Sequence, residues 1–310
     1  MGGLFKIIAA SGTVKNVVLK DVRIVSGYGV NNQLCGAAAI ASRCSGAVEN
    51  CSAYGTITST ASGYLNGAAG LVSHLNGGRI SDCYSGMDIS SDNGIASSSQ
   101  ASGKEANFGV GGIAAKVDGA TAVVERCGNG GTINVPNLFF VAGVIGGSQN
   151  AGVTISECCN TGNITGGWNV SGVVSWLWGK LRVVYNTGNI HATHATAAGL
   201  VSTSAGAGST ASYTAGTVSC GDTTDATTGL AYSLANATAA KVGNFIYPQF
   251  AEGITYPVGQ STGLAVGTAM TPDEIKTQET ADILNGWTGT ETYVLDDSIN
   301  DGYPVFGWQK

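Results

Sequence analysis

Three histidines, His74, His191 and His194, are the residues of this chain whose ordinary titration falls near neutral pH. None sits in a Ser-His-Asp or Glu-x-x-His context, so neither an activated serine nor a zinc-protease helix is encoded. The spacing His191-x-x-His194 is a weak metal signal, and an exposed turn is the blander reading of it. Asp296 to Gly302 carries several oxygen ligands without calcium-loop spacing and reads as a solvated turn. No Gly-x-x-x-x-Gly-Lys phosphate loop occurs, and the many Gly-x-Gly strings are turn residues. Polysaccharide cleavage would want like carboxylates stacked in one place. The slot that comes closest holds Asn16, Asn50, Asp82, Arg126, Glu157 and Val183, whose alternating sign suits ion pairing between neighbouring chain segments instead. The sequence therefore offers no catalytic residues, no metal site and no cofactor.

Aromatic residues are the better candidates. The stretch Val173-Val174-Ser175-Trp176-Leu177-Trp178 matches Leu71-Val72-Ser73-His74-Leu75-Asn76 position for position. On a strand with Leu71, Ser73 and Leu75 turned inward, Val173, Ser175 and Leu177 turn inward too, and Trp176, Trp178 and His74 turn outward. Two indoles on an outer face, with Trp168 expected in the preceding turn, invite a cover. That cover is either the chain's own long loop or C-terminal segment, or a sugar ring or partner protein. Trp176, Trp178, Trp168 and His74 are the candidate ligand-binding residues.

What positions them is a repeat. A Gly-apolar pair, an apolar residue three before Cys, the Cys, and an Ile six later recur as Gly70-Leu71, Ile80, Cys83, Ile89; as Gly112-Ile113, Val124, Cys127, Ile133; and as Gly143-Val144, Ile155, Cys158, Ile164. Fainter copies bring the total to seven, with anchors Leu4, Ile40, Leu71, Ile113, Val144, Val173 and Leu200 spaced 36, 31, 42, 31, 29 and 27 residues apart. Each copy supplies strands too short to bury a core alone, so only stacking on its neighbours can exclude water. A three-sided coil of short strands fits the spacing, and parallel strands with same-sense crossovers take the right hand. The fold class is all-β: a right-handed parallel β-helix, with a C-terminal capping segment that contains one short helix. Two longer intervals leave the coil as loops, 26 to 34 and the larger 88 to 107.

Composition agrees. Gly is 48 of 310 residues, Pro is 5, charged residues are 11% and hydrophobic ones 43%, too apolar for disorder and too rich in Gly for a helical bundle. A net charge of −6 gives no basic footprint, which argues against nucleic acid, and no apolar run reaches the ~18 residues of a membrane span. Eight cysteines suggest a disulfide framework, but Cys51, Cys83, Cys127 and Cys158 share one slot that other copies fill with Val17 and Val184. A slot that takes Val or Cys is a buried apolar slot, and these four read as a stack of unreactive thiols. Cys159, adjacent to Cys158, faces out or lies at a corner; the spacing leaves room for a Cys35 to Cys44 bridge.

Gly3-Leu4-Phe5 with Gly12 to Val17, and Ala69 to Val72 with Gly78 to Tyr84, resemble the GLUG repeat of bacterial cell-surface proteins. Asn160-Thr161-Gly162-Asn163-Ile164 and Asn186-Thr187-Gly188-Asn189-Ile190 are similar to its closing motif. Met270 to Leu284 and Asp301 to Gln309 look like the segment that commonly ends such arrays. The resemblance implies a surface-exposed or secreted module of a larger, adhesin-like bacterial protein, and brings no catalytic residues with it.

The chain divides into 1 to 221, the β-helix, and 222 to 310, a cap. In the cap, Thr271-Pro272-Asp273-Glu274 is a helix start and Gly286 a stop, giving a helix near 271 to 285 whose apolar side closes the rod, with a terminal strand near 303 to 308. The function expected is a non-catalytic extracellular or cell-surface module, monomeric, an adhesin or rigid spacer that binds a host or microbial glycan or a surface protein. The alternative is a β-helical lyase or glycosidase.

Overall fold

The computed structural model describes residues 3 to 27, 35 to 60, 65 to 93, 109 to 204, 211 to 221, 231 to 234, 245 to 248 and 268 to 310. Short strands pair in parallel with their counterparts one coil later, building three ladders along one axis. The first ladder stacks Phe5–Ile8, Ala41–Cys44, Val72–Asn76, Ala114–Asp118, Ile145–Ser148 and Val174–Leu177. The second runs through Thr13–Lys15, Ala47–Glu49, the start of Arg79–Ser90, Val123–Asn129, Thr154–Asn160, Lys180–Asn186 and Ser212–Thr214. The third contains Val18–Ser26, Ser52–Ser59, the end of Arg79–Ser90, Ile133–Ala142, Ile164–Ser171 and Ile190–Ser204. This is the parallel β-helix that the repeat predicts. Strand Arg79–Ser90 reaches into the interval assigned to the larger loop, and residues 94 to 108 of that interval lie outside the described residues.

Equivalent slots meet in register. Ile57, Ile89, Ile133, Ile164, Ile190 and Val218 form one inward column, and Val48, Ile80, Val124, Ile155 and Leu181 another. Both belong to a single core cluster that runs the length of the rod. Cys51, Cys83, Cys127 and Cys158 are stacked inside it, and each thiol donates to the carbonyl two residues before it, at 3.0–3.2 Å. Burial and hydrogen bonding push three of the thiols up, Cys51 and Cys83 chiefly through the neighbouring thiol, Cys127 chiefly through burial. All eight cysteines are free, so the Cys35 to Cys44 bridge is not formed; both are buried as apolar side chains.

A second internal ladder explains the Gly of the repeat. Asn129 donates to Asn160 and Asn160 to Asn186, each at 2.8 Å, while the same side chains donate to the carbonyls of Gly131, Gly162 and Gly188. All three are fully buried, where an amide needs its partners, and only the Asn129 Oδ1 at the start of the ladder is left without one. Their bulk fills the space opposite the Gly-apolar anchor: a Cβ at Gly143 would lie 2.2 Å from Asn160 Cγ, and one at Gly112 2.3 Å from Asn129 Cγ. Gly and Asn are therefore two halves of one fit.

The slot before each Cys has its own backbone. Asn16, Asn50, Asp82, Arg126, Glu157 and Val183 all have φ between 48° and 58°, apart from Arg126 at 46°. One left-handed residue per coil bends the second ladder and breaks strict alternation, and only the stack over-determines it for Arg, Glu and Val.

Parallel pairing runs on beyond residue 221, where the sequence division was placed, through Ala231–Leu234, Phe245–Pro248 and Thr268–Met270. The predicted helix is two. Pro272–Ile275 (α1) starts in a capping box made by Thr271 and Glu274, and Gln278–Thr288 (α2) starts again at Thr277. Gly286 lies inside α2, and the stop is Gly289 at φ 75°. Val305–Phe306 pairs antiparallel with Tyr293–Val294. The apolar side of this segment, with Ile275, Leu284, Tyr293 and Phe306, packs against Cys159, Tyr185, Tyr213 and Ile246. These four are successive rungs of one outward column. The segment thus leans on the side of the rod, a contact that a lid over its end does not describe. Cys159 faces outward as expected, yet is 1% exposed because the segment covers it.

Candidate binding surface

The first ladder presents one outward column that reads Arg43, His74, Lys116, Gly147, Trp176 and Thr203. His74 and Trp176 therefore share a face, three rungs or roughly 14 Å apart at about 4.8 Å per rung. Between them the column carries a cluster that the sequence reading missed. Lys116 Nζ lies 2.9 Å from Asp118 Oδ2, and His74 Nε2 lies 3.5 Å from the same oxygen. Lys116 is only 8% exposed, held against the sheet beside Gly147. Burial pushes the Asp118 carboxyl up, but hydrogen bonds from His74 and Lys116 outweigh it and leave the group below its ordinary range. The signal was present: Ala114-Ala115-Lys116-Val117-Asp118 aligns with Val72 to Asn76 and with Val174 to Trp178.

Trp176 and Trp178 both point outward, with Leu177 fully buried between them and Ser175 fully buried before them. Their environments differ. Phe140 lies against Trp176 with ring centroids 5.0 Å apart, leaving that indole half-buried. Phe140 reaches it from a left-handed backbone, φ 56°, an outlier for an aromatic residue. Trp178 is 45% exposed, anchored by its backbone N–H on the Ser148 carbonyl at 3.1 Å. Trp168 is in a strand, Ile164–Ser171, where a turn was expected. It stacks between Phe139, at 4.2 Å and 4°, and His194, at 4.0 Å and 14°. The register shift next to Trp168 is what lets an aromatic column form there. Phe139 and Phe140 were not singled out from sequence and His194 was read only as a weak metal signal, because intervals of 29 and 26 residues to Trp168 do not look aligned until the bulge is seen.

Of the four candidate residues, the structure brings Trp176, Trp178 and His74 to one ladder and sets Trp168 beside them on the next. Two of the three tryptophans turn their faces to other rings of the same chain. Trp178 alone of the three is exposed.

Two outer carboxylates of the second ladder, Asp82 and Glu125, are matched with cations. Arg126 takes Asp82 through Nε at 2.5 Å and a second guanidinium nitrogen at 2.9 Å, and holds its carboxyl below the ordinary range. Its second carboxylate is Glu125, at 2.7 Å, where Glu157 was expected, and Glu125 also meets Arg79. Among the described residues no cluster of three or more His, Cys, Asp or Glu could hold a metal.

No family model matches the chain, and no curated protein matches it. The resemblance to the GLUG repeat therefore has no matching family model behind it. Among solved structures the chain is similar to the 1.30 Å crystal structure of a "putative immunoglobulin A1 protease" from Bacteroides ovatus. Identity is 16%, the TM-score is 0.48, and the match covers 94% of this chain and 76% of that one.

Proposed function

We propose that this chain is a non-catalytic module of a larger bacterial surface protein, adhesin-like or a rigid spacer, whose outer first ladder binds a glycan or a surface protein through Trp178. The observation that carries the reading is an indole 45% exposed one residue past the paired strand Val174–Leu177, its backbone N–H held by the Ser148 carbonyl. An apolar ring held still in water gains on contact with the CH face of a sugar or with another side chain, and little entropy is lost in ordering it. The neighbouring His74, Lys116 and Asp118 supply polar contacts two to three rungs away. Extracellular or cell-surface placement, a monomeric state and no nucleic-acid or membrane partner belong to the same reading.

A β-helical lyase or glycosidase is the alternative. Its acid and base would come from Glu125, Glu157 or Asp82, of which Asp82 and Glu125 are already engaged by Arg. A glycan array probed with the whole chain tests the binding reading, with Trp178→Ala as the control that loses the signal. Release of reducing ends or unsaturated products from pectic, alginate-like or mucin-type glycans, above a buffer control, would overturn the non-catalytic reading.

A further inference from the structure

A second outward column, on the far side of the left-handed bend, reads Val18, Ser52, Tyr84, Gly128, Cys159, Tyr185 and Tyr213. Its later rungs lie under the C-terminal segment, whereas Tyr84 is 38% exposed and neighbouring Tyr54 39%. The two rings are 5.9 Å apart. Each rests on glycine of the next coil. A Cβ at Gly86 would lie 2.5 Å from Tyr54 Cδ1, and one at Gly130 2.0 Å from Tyr84 Oη. A ring that lies on bare backbone keeps its other face toward solvent, unlike the rings of Phe139 and Trp168, which occupy each other's faces.

Beside this platform runs a shallow groove of about 700 Å³ along the bend. Asp82 and Asn50, both exposed, stand in it, and Asp82 is two residues from Tyr84. Asn50 donates to Asn16 at 2.8 Å, which leaves the Asn50 amide oxygen and the Asn16 amide nitrogen to face outward partners. The charges in and around the groove balance. Lys15, Arg79 and Arg126 face Glu49, Asp82 and Glu125, three of each sign. Such balance offers no net attraction to a sulfated or phosphorylated polymer. Flat aromatic faces next to planar amide, carboxylate and guanidinium groups instead match the apolar face and vicinal hydroxyls of a pyranose.

We infer that the Tyr54 and Tyr84 platform, with the groove of Asn16, Asn50, Asp82 and Arg126, is a binding site for a neutral glycan. It is separate from Trp178, lying across a different ladder, and stands or falls independently of that residue. The rings supply stacking, Asp82 held by Arg126 accepts from hydroxyls, and the asparagines donate and accept.

Affinity electrophoresis through gels that contain galactomannan, xyloglucan, mixed-linkage β-glucan or heparin tests it. The wild-type chain is expected to be retarded by at least one neutral polymer and less by heparin. Tyr54→Ala with Tyr84→Ala should weaken that retardation at least tenfold, whereas Tyr54→Phe with Tyr84→Phe should keep it. Melting temperature is measured for each variant, and if the double alanine variant does not fold, Asn50→Ala with Asp82→Asn takes its place with the same expectation. The inference is overturned if no neutral polymer retards the wild type, if heparin retards it most, or if the platform variants migrate unchanged. Retardation that Trp178→Ala abolishes while the platform variants keep it also overturns it, and would place glycan binding at the first ladder.

Discussion

Two aromatic groups stand on the outer wall of this rod, and they are enclosed to opposite degrees. Tyr185, Tyr213, Tyr293 and Phe306 are each no more than 1% exposed, with ring centroids 5.0–6.1 Å apart. Every tyrosine hydroxyl in the group has an acceptor: Tyr185 donates to Gln309 Oε1 at 2.8 Å, Tyr293 to the Ala211 carbonyl at 2.8 Å, and Tyr213 to the Pro304 carbonyl. Phe140, Trp176 and Trp178 pack on one side only and end in an exposed indole. A buried aromatic with its polar tip satisfied is holding structure; one left open on a rigid strand is available to something else. The comparison rests on enclosure, since both groups are aromatic and Tyr185, Tyr213, Trp176 and Trp178 all point outward from the rod.

The largest expected effect comes from breaking the enclosed group. Phe306→Ala should destabilise by about 3–5 kcal/mol, because the ring touches Tyr185, Tyr293 and Trp308 at once. Calorimetry reads the loss, and a thiol count adds where it falls. Cys159, under Gln309 Nε2 at 3.6 Å, should become reactive. Cys51, Cys83, Cys127 and Cys158 should stay unreacted until the rod itself unfolds. Equal reactivity of all five would mean that the segment and the rod are one cooperative unit.

Alkali should separate the two groups next. Burial pushes the Cys159 thiol from 9.0 up to about 12 and raises Tyr185, Tyr213 and Tyr293 well above 10.0. With the segment undocked these groups lose protons at their ordinary values, while the docked form keeps them. The stability they contribute is therefore whole below pH 9 and falls as pH rises from about 9 toward 12. Near-ultraviolet circular dichroism followed from pH 8 to 11 should show the tyrosine environment loosening first, with the tryptophan signal of the first ladder unchanged. A smaller change follows from Tyr185→Phe, which removes one hydroxyl bond and should cost about 1 kcal/mol in thermal unfolding, leaving Gln309 to satisfy Phe306 N and Cys159 alone.

How much of this was legible in the sequence depends on what each residue answers to. The inward columns were legible in full, because Ile57, Ile89, Ile133, Ile164 and Ile190 answer only to one another and recur at one slot. The direction of Trp176 and Trp178 followed from strand alternation for the same reason. The left-handed bend was not, since Asn16 and Asn50 suggest positive φ but Arg126, Glu157 and Val183 in the same slot do not. Exposure was least legible of all. It depends on neighbours brought from elsewhere: Phe140 onto Trp176 across a bulge, and Phe306 onto Tyr185, 121 residues further along the chain. The partners of Lys116 and Asp118 were readable only after the coils were laid in register.

The smallest expected effect on stability is the one that bears most on function. Trp178 has half of its surface in water and a backbone N–H to Ser148 that substitution leaves in place. Trp178→Ala should therefore shift unfolding by no more than about 0.5 kcal/mol, as surface changes away from core and caps do. Trp176→Ala, which also removes the ring against Phe140, should cost more, on the order of 1 kcal/mol for the aromatic pair alone. The ratio is the informative quantity. If Trp178→Ala proves as damaging as Trp176→Ala in a denaturant titration, its indole is enclosed in solution and belongs with Tyr185 and Tyr213. If it leaves stability unmoved and abolishes capture on a glycan array, exposure at this one strand is the function of the face.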